Sequence, residues 1–411
     1  MSAHTGQHPF SAHFEVPDPL LEVDGIHPVA VARPATTAAL AEIMTEASGQ
    51  HLSVVPKGSG SAMAFGPPPH RADLIVDMRA MCAVTEYAPR DLVLGVGAGV
   101  TLGQIDRVLA TEGQRLAIDL GPAAEGRTIG GVVATNGRGP RRVDVGSLRD
   151  IVIGVTVVRA DGVVAKAGGK VVKNVAGYDL AKLMVGSHGT LAVISDLYLR
   201  VHPVPPARAL LVIGGPITAL CAAVRAIARS PIVGSAMEIR CAPDEVDARL
   251  YVLFEGTERS VSRQSALVTE QYRDARKIDD LPPDWYMTPP RPDAVVLRVA
   301  FAPGELHEVL GVLRNVLGSS SAIACSAASG LARVFIEPGA VDGEGLGSAL
   351  ATLRARLALS DGSIVIEHAP LPLRTDIDVW GPTCAPALML ALKDQFDPDH
   401  RLNPGRFVEG I

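Results

Sequence analysis

Pro56-Lys57-Gly58-Ser59-Gly60-Ser61 stands directly after the apolar, β-branched run LSVV (52–55). That run predicts a strand stopping at Pro56, because proline cannot donate to a ladder. Gly58 and Gly60 then allow positive φ and close backbone approach, so that successive N–H groups can converge on an anion. A pyrophosphate suits such a nest, and an ordinary glycine turn suits the same hexapeptide. The choice depends on what surrounds it.

Upstream, a polar leader expected to be mobile precedes Pro34 and Thr36 or Thr37, which start a predicted helix ending near Gly49. Downstream come β-like runs at 74–78 and 92–100, a helix over 101–111, and the run RLAID (115–119). In IVIGVTVVRADGVVAKA (151–167), Asp161-Gly162 signals a two-residue hairpin turn. The first domain closes at LAVISDLYLRVHPVPP (191–206). Beyond it a strand, helix, strand order occurs twice, at 210–256 and 295–339, joined by a Pro- and Asp-rich connection over 279–293. This predicts an antiparallel sheet backed by helices. The tail, APALMLALKDQFDPDHRLNPGRF (385–407), reads as a helix followed by an extended arm, with 388–392 as an apolar stripe for a core or a subunit contact.

Composition narrows the function classes. The 411 residues carry 38 Lys+Arg against 44 Asp+Glu, a net charge of −6, which argues against a basic nucleic-acid binder. That length exceeds what one core serves, so two domains are expected. Cys82, Cys221, Cys241, Cys325 and Cys384 are scattered, without zinc or iron–sulfur spacing, and read as reduced thiols of a cytoplasmic protein. No apolar run reaches membrane-span length, so direct insertion is not expected and any membrane association would come through partner subunits. No GxGxxG opens a helix after a strand, and GxxxxGK[ST], HExxH and GxSxG are absent, which removes sequence support for nicotinamide, phosphate-loop, zincin and α/β-hydrolase chemistry.

Three further stretches follow the first loop in order. They are Thr128-Ile129-Gly130-Gly131-Val132-Val133-Ala134-Thr135-Asn136, then Lys173-Asn174-Val175-Ala176-Gly177-Tyr178-Asp179-Leu180, then Gly186-Ser187-His188-Gly189-Thr190-Leu191. Together with Asn403-Pro404-Gly405-Arg406-Phe407, this order resembles the FAD-binding domain of the vanillyl-alcohol oxidase and p-cresol methylhydroxylase (PCMH) superfamily. Within it, the segments 173–186 and 396–407 most resemble the FAD-binding (E) subunits of bacterial glycolate oxidases. The resemblance implies an α+β fold: a two-subdomain PCMH-type domain (31–205) after a leader (1–30), an antiparallel-sheet cap (206–380), and a C-terminal helix and arm (381–411) returning to the FAD domain.

By the same resemblance, Pro56, Lys57, Gly58, Ser59, Gly60 and Ser61 would wrap the FAD pyrophosphate. Thr128, Gly130, Gly131 and Asn136 would lie along the ribityl chain and ring, Ile194 would meet the adenine end through its backbone, Asn403 would approach the ring, and Pro122 counts among the cofactor-binding residues. Relatives with covalent flavin carry a histidine in the first loop or a cysteine in the middle segment. Ser59, Ser61 and Ala62 stand in that loop here, so FAD is expected to be noncovalent. The H-x-G-D-G-N motif is missing, and Glu367-His368 is followed by Ala369-Pro370 where relatives have glycine, so no metal site is expected.

The implied function is a FAD-binding subunit of a glycolate oxidase or dehydrogenase complex that oxidises glycolate to glyoxylate with a catalytic flavoprotein subunit and an iron–sulfur subunit. The alternatives are a stand-alone FAD-dependent 2-hydroxy acid (D-lactate-type) dehydrogenase, or a non-catalytic flavoprotein or structural subunit. His188 and His368 are weighed for proton handling, Arg298 and Arg333 for gripping a carboxylate, and Lys170 with Lys173 for neutralising flavin charge. No catalytic base emerges from the sequence.

Overall fold

A computed structural model of the chain describes residues 13–137, 139–169, 179–282, 285 and 291–411. Its first layer is a small parallel sheet with Leu74–Asp77 at the centre, Ala30–Ala32 on one side and Val54–Lys57 on the other. The last strand runs through Pro56 and stops one residue later. It is an edge strand, where a missing N–H is tolerated. Helix Thr37–Gly49, capped by Thr36, buries Leu40, Ile43, Met44 and Ala47, one stripe at helical spacing.

Beside this layer lies a five-stranded antiparallel sheet, ordered Val84–Ala88, Val93–Gly97, Val193–Arg200, Val152–Val158 and Val164–Gly168. The last two strands form the hairpin expected around Asp161-Gly162, but its loop is longer than two residues: Arg159 N–H bonds the Val163 carbonyl at 3.0 Å. The run at 115–119 contributes only Gln114–Arg115, paired with His202–Pro203.

The second half is an eight-stranded antiparallel sheet with two different faces. Strand side chains alternate between faces. Leu250, Val252 and Phe254 turn toward helices Ile217–Ala228, Glu258–Gln271, Leu306–Leu317 and Gly343–Leu357, forming one apolar core. Helix Gly343–Leu357 shows why such segments are helical: Asp342 caps it and Leu346, Leu350, Leu353 and Leu357 make the buried stripe. The opposite face carries Glu255, Glu238, Arg240, Arg333, Arg298 and Glu367, and part of it meets the first half. There Glu255 accepts from Arg141 (3.0 Å) and Arg115 (2.9 Å), both from the first half. Cys221, Cys241 and Cys325 are buried in this half, where burial pushes the Cys221 thiol up to about 11.

One expectation fails at the N-terminus, and one of two alternatives falls away in the tail. The leader is not loose over 13–30: Phe14 and Val23 are buried, and Glu15 bridges Val31. In helix Pro386–Phe396, Leu388 and Leu390 face out at 62% and 44% exposure, while the buried residue is Lys393. The apolar stripe is therefore not core. Lys393 Nζ donates to Asp397 (2.7 Å), the Thr190 carbonyl (2.8 Å) and the Leu402 carbonyl (3.0 Å), which satisfies all three ammonium protons. The arm beyond it then lies along the free edge of Val54–Lys57, with Val54 N–H on the Arg401 carbonyl (2.7 Å) and Asn403 N–H on the Val54 carbonyl (2.9 Å).

Candidate functional site

A cavity of about 950 Å³, counted to its open mouth, lies between the glycine loop, the 128–135 segment, the turn at 188–189 and the returning arm. Backbone forms most of one wall. A Cβ on Gly58 would stand 1.9 Å from Thr128 Oγ1, and Gly60 has φ +81°. Among the described residues, no acceptor takes the amides of 58–62, so these N–H groups are available to an anion. On the floor, Gly130 N–H bonds the Ala98 carbonyl at 2.9 Å, and a Cβ at Gly130 would lie 2.7 Å from Ala98 Cβ.

The turn Gly186–Leu191 is held against the helix Ile129–Ala134, with His188 N–H on the Ala134 carbonyl at 2.9 Å. Asn403 Nδ2 donates to the His188 carbonyl at 2.7 Å, which ties the arm to the turn. The Oδ1 atoms of Asn403 and Asn136 are buried without a hydrogen-bond partner among the described residues. Buried polar atoms are rarely left so. An orphaned amide oxygen on the cavity wall, with free amides and a cradle that side chains would fill, fits a bound nucleotide cofactor.

Pro56, Lys57, Gly58, Ser59, Gly60, Ser61, Thr128, Gly130, Gly131, Ile194 and Asn403 all line this cavity. Asn136 adjoins the lining residue Thr135. Pro122 is not among the residues lining this cavity: it begins the short 3-10 helix Pro122–Ala124 and lines a neighbouring depression with Asp106 and Glu125. Lys170, Lys173 and the rest of 170–178 lie outside the described residues.

Sequence reasoning missed Phe65, Arg127 and Arg406, which also line the cavity. His188 lines it too and stacks on Phe407 at 5.2 Å, with Phe65 and Trp380 edge-on at 4.6 and 5.0 Å. Burial, helped by Arg298 and Arg406, pushes its imidazole down to about 3, so it is neutral at ordinary pH. A second chamber opens beside the first, toward the polar face of the large sheet, lined by Phe65, Arg127, Phe335, Arg333, Glu367 and His368 among others.

The two arginines weighed from the sequence differ there. Arg333 is held by Glu367, with Nη2 at 2.7 Å from Oε1. Arg298 instead sits 5.1 Å from the Phe65 ring centroid, a cation–π contact. Among the described residues neither Arg298 nor Arg127 has a carboxylate partner within ion-pair distance, and burial pulls both guanidiniums below the usual arginine range. His368 Nε2 lies 3.1 Å from the Arg291 carbonyl, and burial lowers its pKa. No group of three or more His, Cys, Asp or Glu side chains could hold a metal among the described residues. No described helix is long and apolar enough to cross a membrane.

Residues 28–168 match the FAD binding domain family. The chain is 38% identical over 169 residues to glycolate oxidase subunit GlcE of Escherichia coli, which is 41% of this chain and 48% of that protein. It is 35% identical over 179 residues to glycolate oxidase subunit GlcD of Bacillus subtilis, 43% of this chain and 38% of that one. A D-lactate dehydrogenase of Archaeoglobus fulgidus is 33% identical over 190 residues, 46% of this chain and 42% of the enzyme. The matched stretch thus spans less than half of each relative. Across the fold, p-cresol methylhydroxylase with substrate bound superposes with a TM-score of 0.73 at 15% identity, covering 94% of this chain and 90% of that one. The chain is a flavoprotein: residues 28–168 are an FAD binding domain, set in a fold of the p-cresol methylhydroxylase type, and its cofactor is FAD.

Proposed function

We propose that this chain is the FAD-binding subunit of a glycolate oxidase or dehydrogenase complex, working with a catalytic flavoprotein subunit and an iron–sulfur subunit to convert glycolate to glyoxylate. The observation that carries the reading is the glycine-walled cavity closed by the C-terminal arm, in a chain that is 38% identical over 169 residues to a glycolate oxidase subunit. Bound FAD would supply hydride acceptance and onward electron transfer.

The protein's part is binding and orientation. The amides of the loop after Pro56 would hold the pyrophosphate, and Thr128, Gly130, Gly131 and Asn136 would follow the ribityl chain. Ile194 would meet the adenine end, and Asn403 Oδ1 would find its partner on the cofactor. Attachment is noncovalent, since no histidine stands in the loop from Pro56 to Ala62 and no cysteine lies between Cys82 and Cys221. The neutral His188 can offer or accept a hydrogen bond without adding charge.

A second reading, a self-sufficient 2-hydroxy acid dehydrogenase, draws on the neighbouring chamber. Arg127 in its wall and Arg298 on the bordering Phe65 ring would take a substrate carboxylate, with Phe65 and Phe335 excluding water. Two measurements separate these readings. Co-purification of the chain from its native host with two further subunits is expected under the first. Turnover of glycolate or D-lactate with a dye by the isolated, FAD-loaded chain, with KM raised more than about tenfold by Arg298→Met, would establish the second and overturn the first.

A further inference from the structure

Val23-Asp24-Gly25-Ile26 makes a tight turn in which Val23 and Ile26 exchange both backbone hydrogen bonds, at 2.9 and 3.0 Å. Asp24 and Gly25 have φ of +52° and +82°, as a type I′ turn requires. The turn delivers the Asp24 carboxylate to two arginines from remote parts of the chain. Arg374 grips it with both terminal nitrogens, Nη1 at 3.1 Å from Oδ2 and Nη2 on Oδ1. Arg406 Nη1 lies 2.9 Å from Oδ2.

The three side chains are 10%, 3% and 5% exposed. Among the described residues, their other hydrogen bonds go to neutral carbonyl oxygens. Arg374 bonds those of Ala369 (3.0 Å) and Gly66 (2.9 Å), and Arg406 bonds that of Met63. Two guanidiniums and one carboxylate leave a net charge of +1 where water screens poorly, and Arg406 itself lines the FAD cavity.

We propose that the Asp24–Arg374–Arg406 triad sets the reduction potential of the bound FAD, by holding one net positive charge against the cavity. A fixed positive charge favours the reduced, more negatively charged cofactor and so raises its potential. Asp24 acts through Arg406 and is a positioning residue, and so is Arg374. A purely mechanical clamp would need the same hydrogen bonds and be indifferent to the sign of the charge. The inference rests on FAD occupying the cavity and on no choice of substrate.

The test is a spectroelectrochemical titration of the full chain loaded with FAD, without substrate. Asp24→Asn takes the triad to +2 and is expected to raise the potential, while Arg374→Gln takes it to zero and is expected to lower it. Each shift should reach at least a tenfold change in the reduced-to-oxidised ratio at fixed potential, about 30 mV for a two-electron couple. The double variant returns to +1 and is expected near the wild-type value, as is Arg374→Lys, which keeps the charge but alters the hydrogen bonds. Shifts of the same sign in the two single variants, unchanged potentials with FAD bound, or loss of FAD from the singles and the double alike would overturn the proposal. A wild-type chain that takes up no FAD would overturn the cofactor assignment instead.

Discussion

The cofactor cleft and the chamber beside it are walled by opposite means. On one side the chain presents itself: glycines at 58, 60, 130 and 131 bring main-chain atoms to the surface, and side chains are kept out. On the other, in the chamber beside the cleft, the eight-stranded sheet presents charged side chains, Arg333 and Glu367, from strands Leu331–Ile336 and Ser363–His368, with Arg298 of strand Val295–Ala300 against the bordering Phe65 ring. Backbone recognition demands glycine at fixed spacing in one stretch of chain, so it leaves a motif. Side-chain recognition demands only that remote strands pair in register, here Arg298 opposite Arg333, and leaves none.

The sharpest way to break this comparison is to put a side chain on the backbone wall. Gly58→Asp is expected to cut FAD retention more than about tenfold, because its Cβ must displace Thr128 and its carboxylate would occupy the amide nest. The flavin-to-protein absorbance ratio of the purified protein measures it, and full flavin content would mean the pyrophosphate lies elsewhere. Next in size, Lys393→Met strands a buried carboxylate and is expected to cost about 3–5 kcal/mol in urea unfolding, with much of it recovered by adding Asp397→Leu. No recovery in the double variant would mean the ion pair is not what holds the arm.

His188 tests whether the aromatic contacts are charge-free. Its folded pKa of about 3 lies below the ordinary 6.5, so the unfolded chain binds the extra proton. Stability should therefore fall as pH drops from about 6.5 toward 3, by up to one proton's linkage. His188→Phe should flatten that dependence, seen as urea midpoints at pH 7 and pH 5, and an unchanged slope would assign it to other groups. The smallest expected effect is at Leu388→Gln, below about 0.5 kcal/mol, since this residue faces outward. A loss of several kcal/mol would return the tail stripe to the core.

Much of the cofactor wall was readable because each piece is local. The loop after Val55, the Thr128–Gly131 stretch, Ile194 and Asn403 all meet in one cavity. Pro122 is the exception, a residue near the motifs in sequence that lines a neighbouring depression. Over 13–30 the leader was misread although Asp24-Gly25 carries the same turn signal that was recognised at Asp161-Gly162. The Asp24 turn is flanked by single apolar residues rather than strands, so its order comes from Arg374 and Arg406, some 350 and 382 positions away. Lys393 was hidden for a related reason: a lysine in an apolar helix looks like the solvent face until three acceptors from two other segments surround it.

By itself the sequence determined the α+β texture, the helix over 37–49, the glycine loop and the order of the cofactor-binding stretches, because periodicity and glycine spacing act over a few residues. Only the tertiary structure decided that Arg298 and Arg127 have no carboxylate partner among the described residues while Arg333 pairs with Glu367, that Lys393 and not the leucines is buried, and that one aspartate serves two arginines. Charge pairing depends on distances across the fold. A guanidinium's free energy is set by whichever carboxylate the folded backbone brings within reach, and no local pattern encodes that partner.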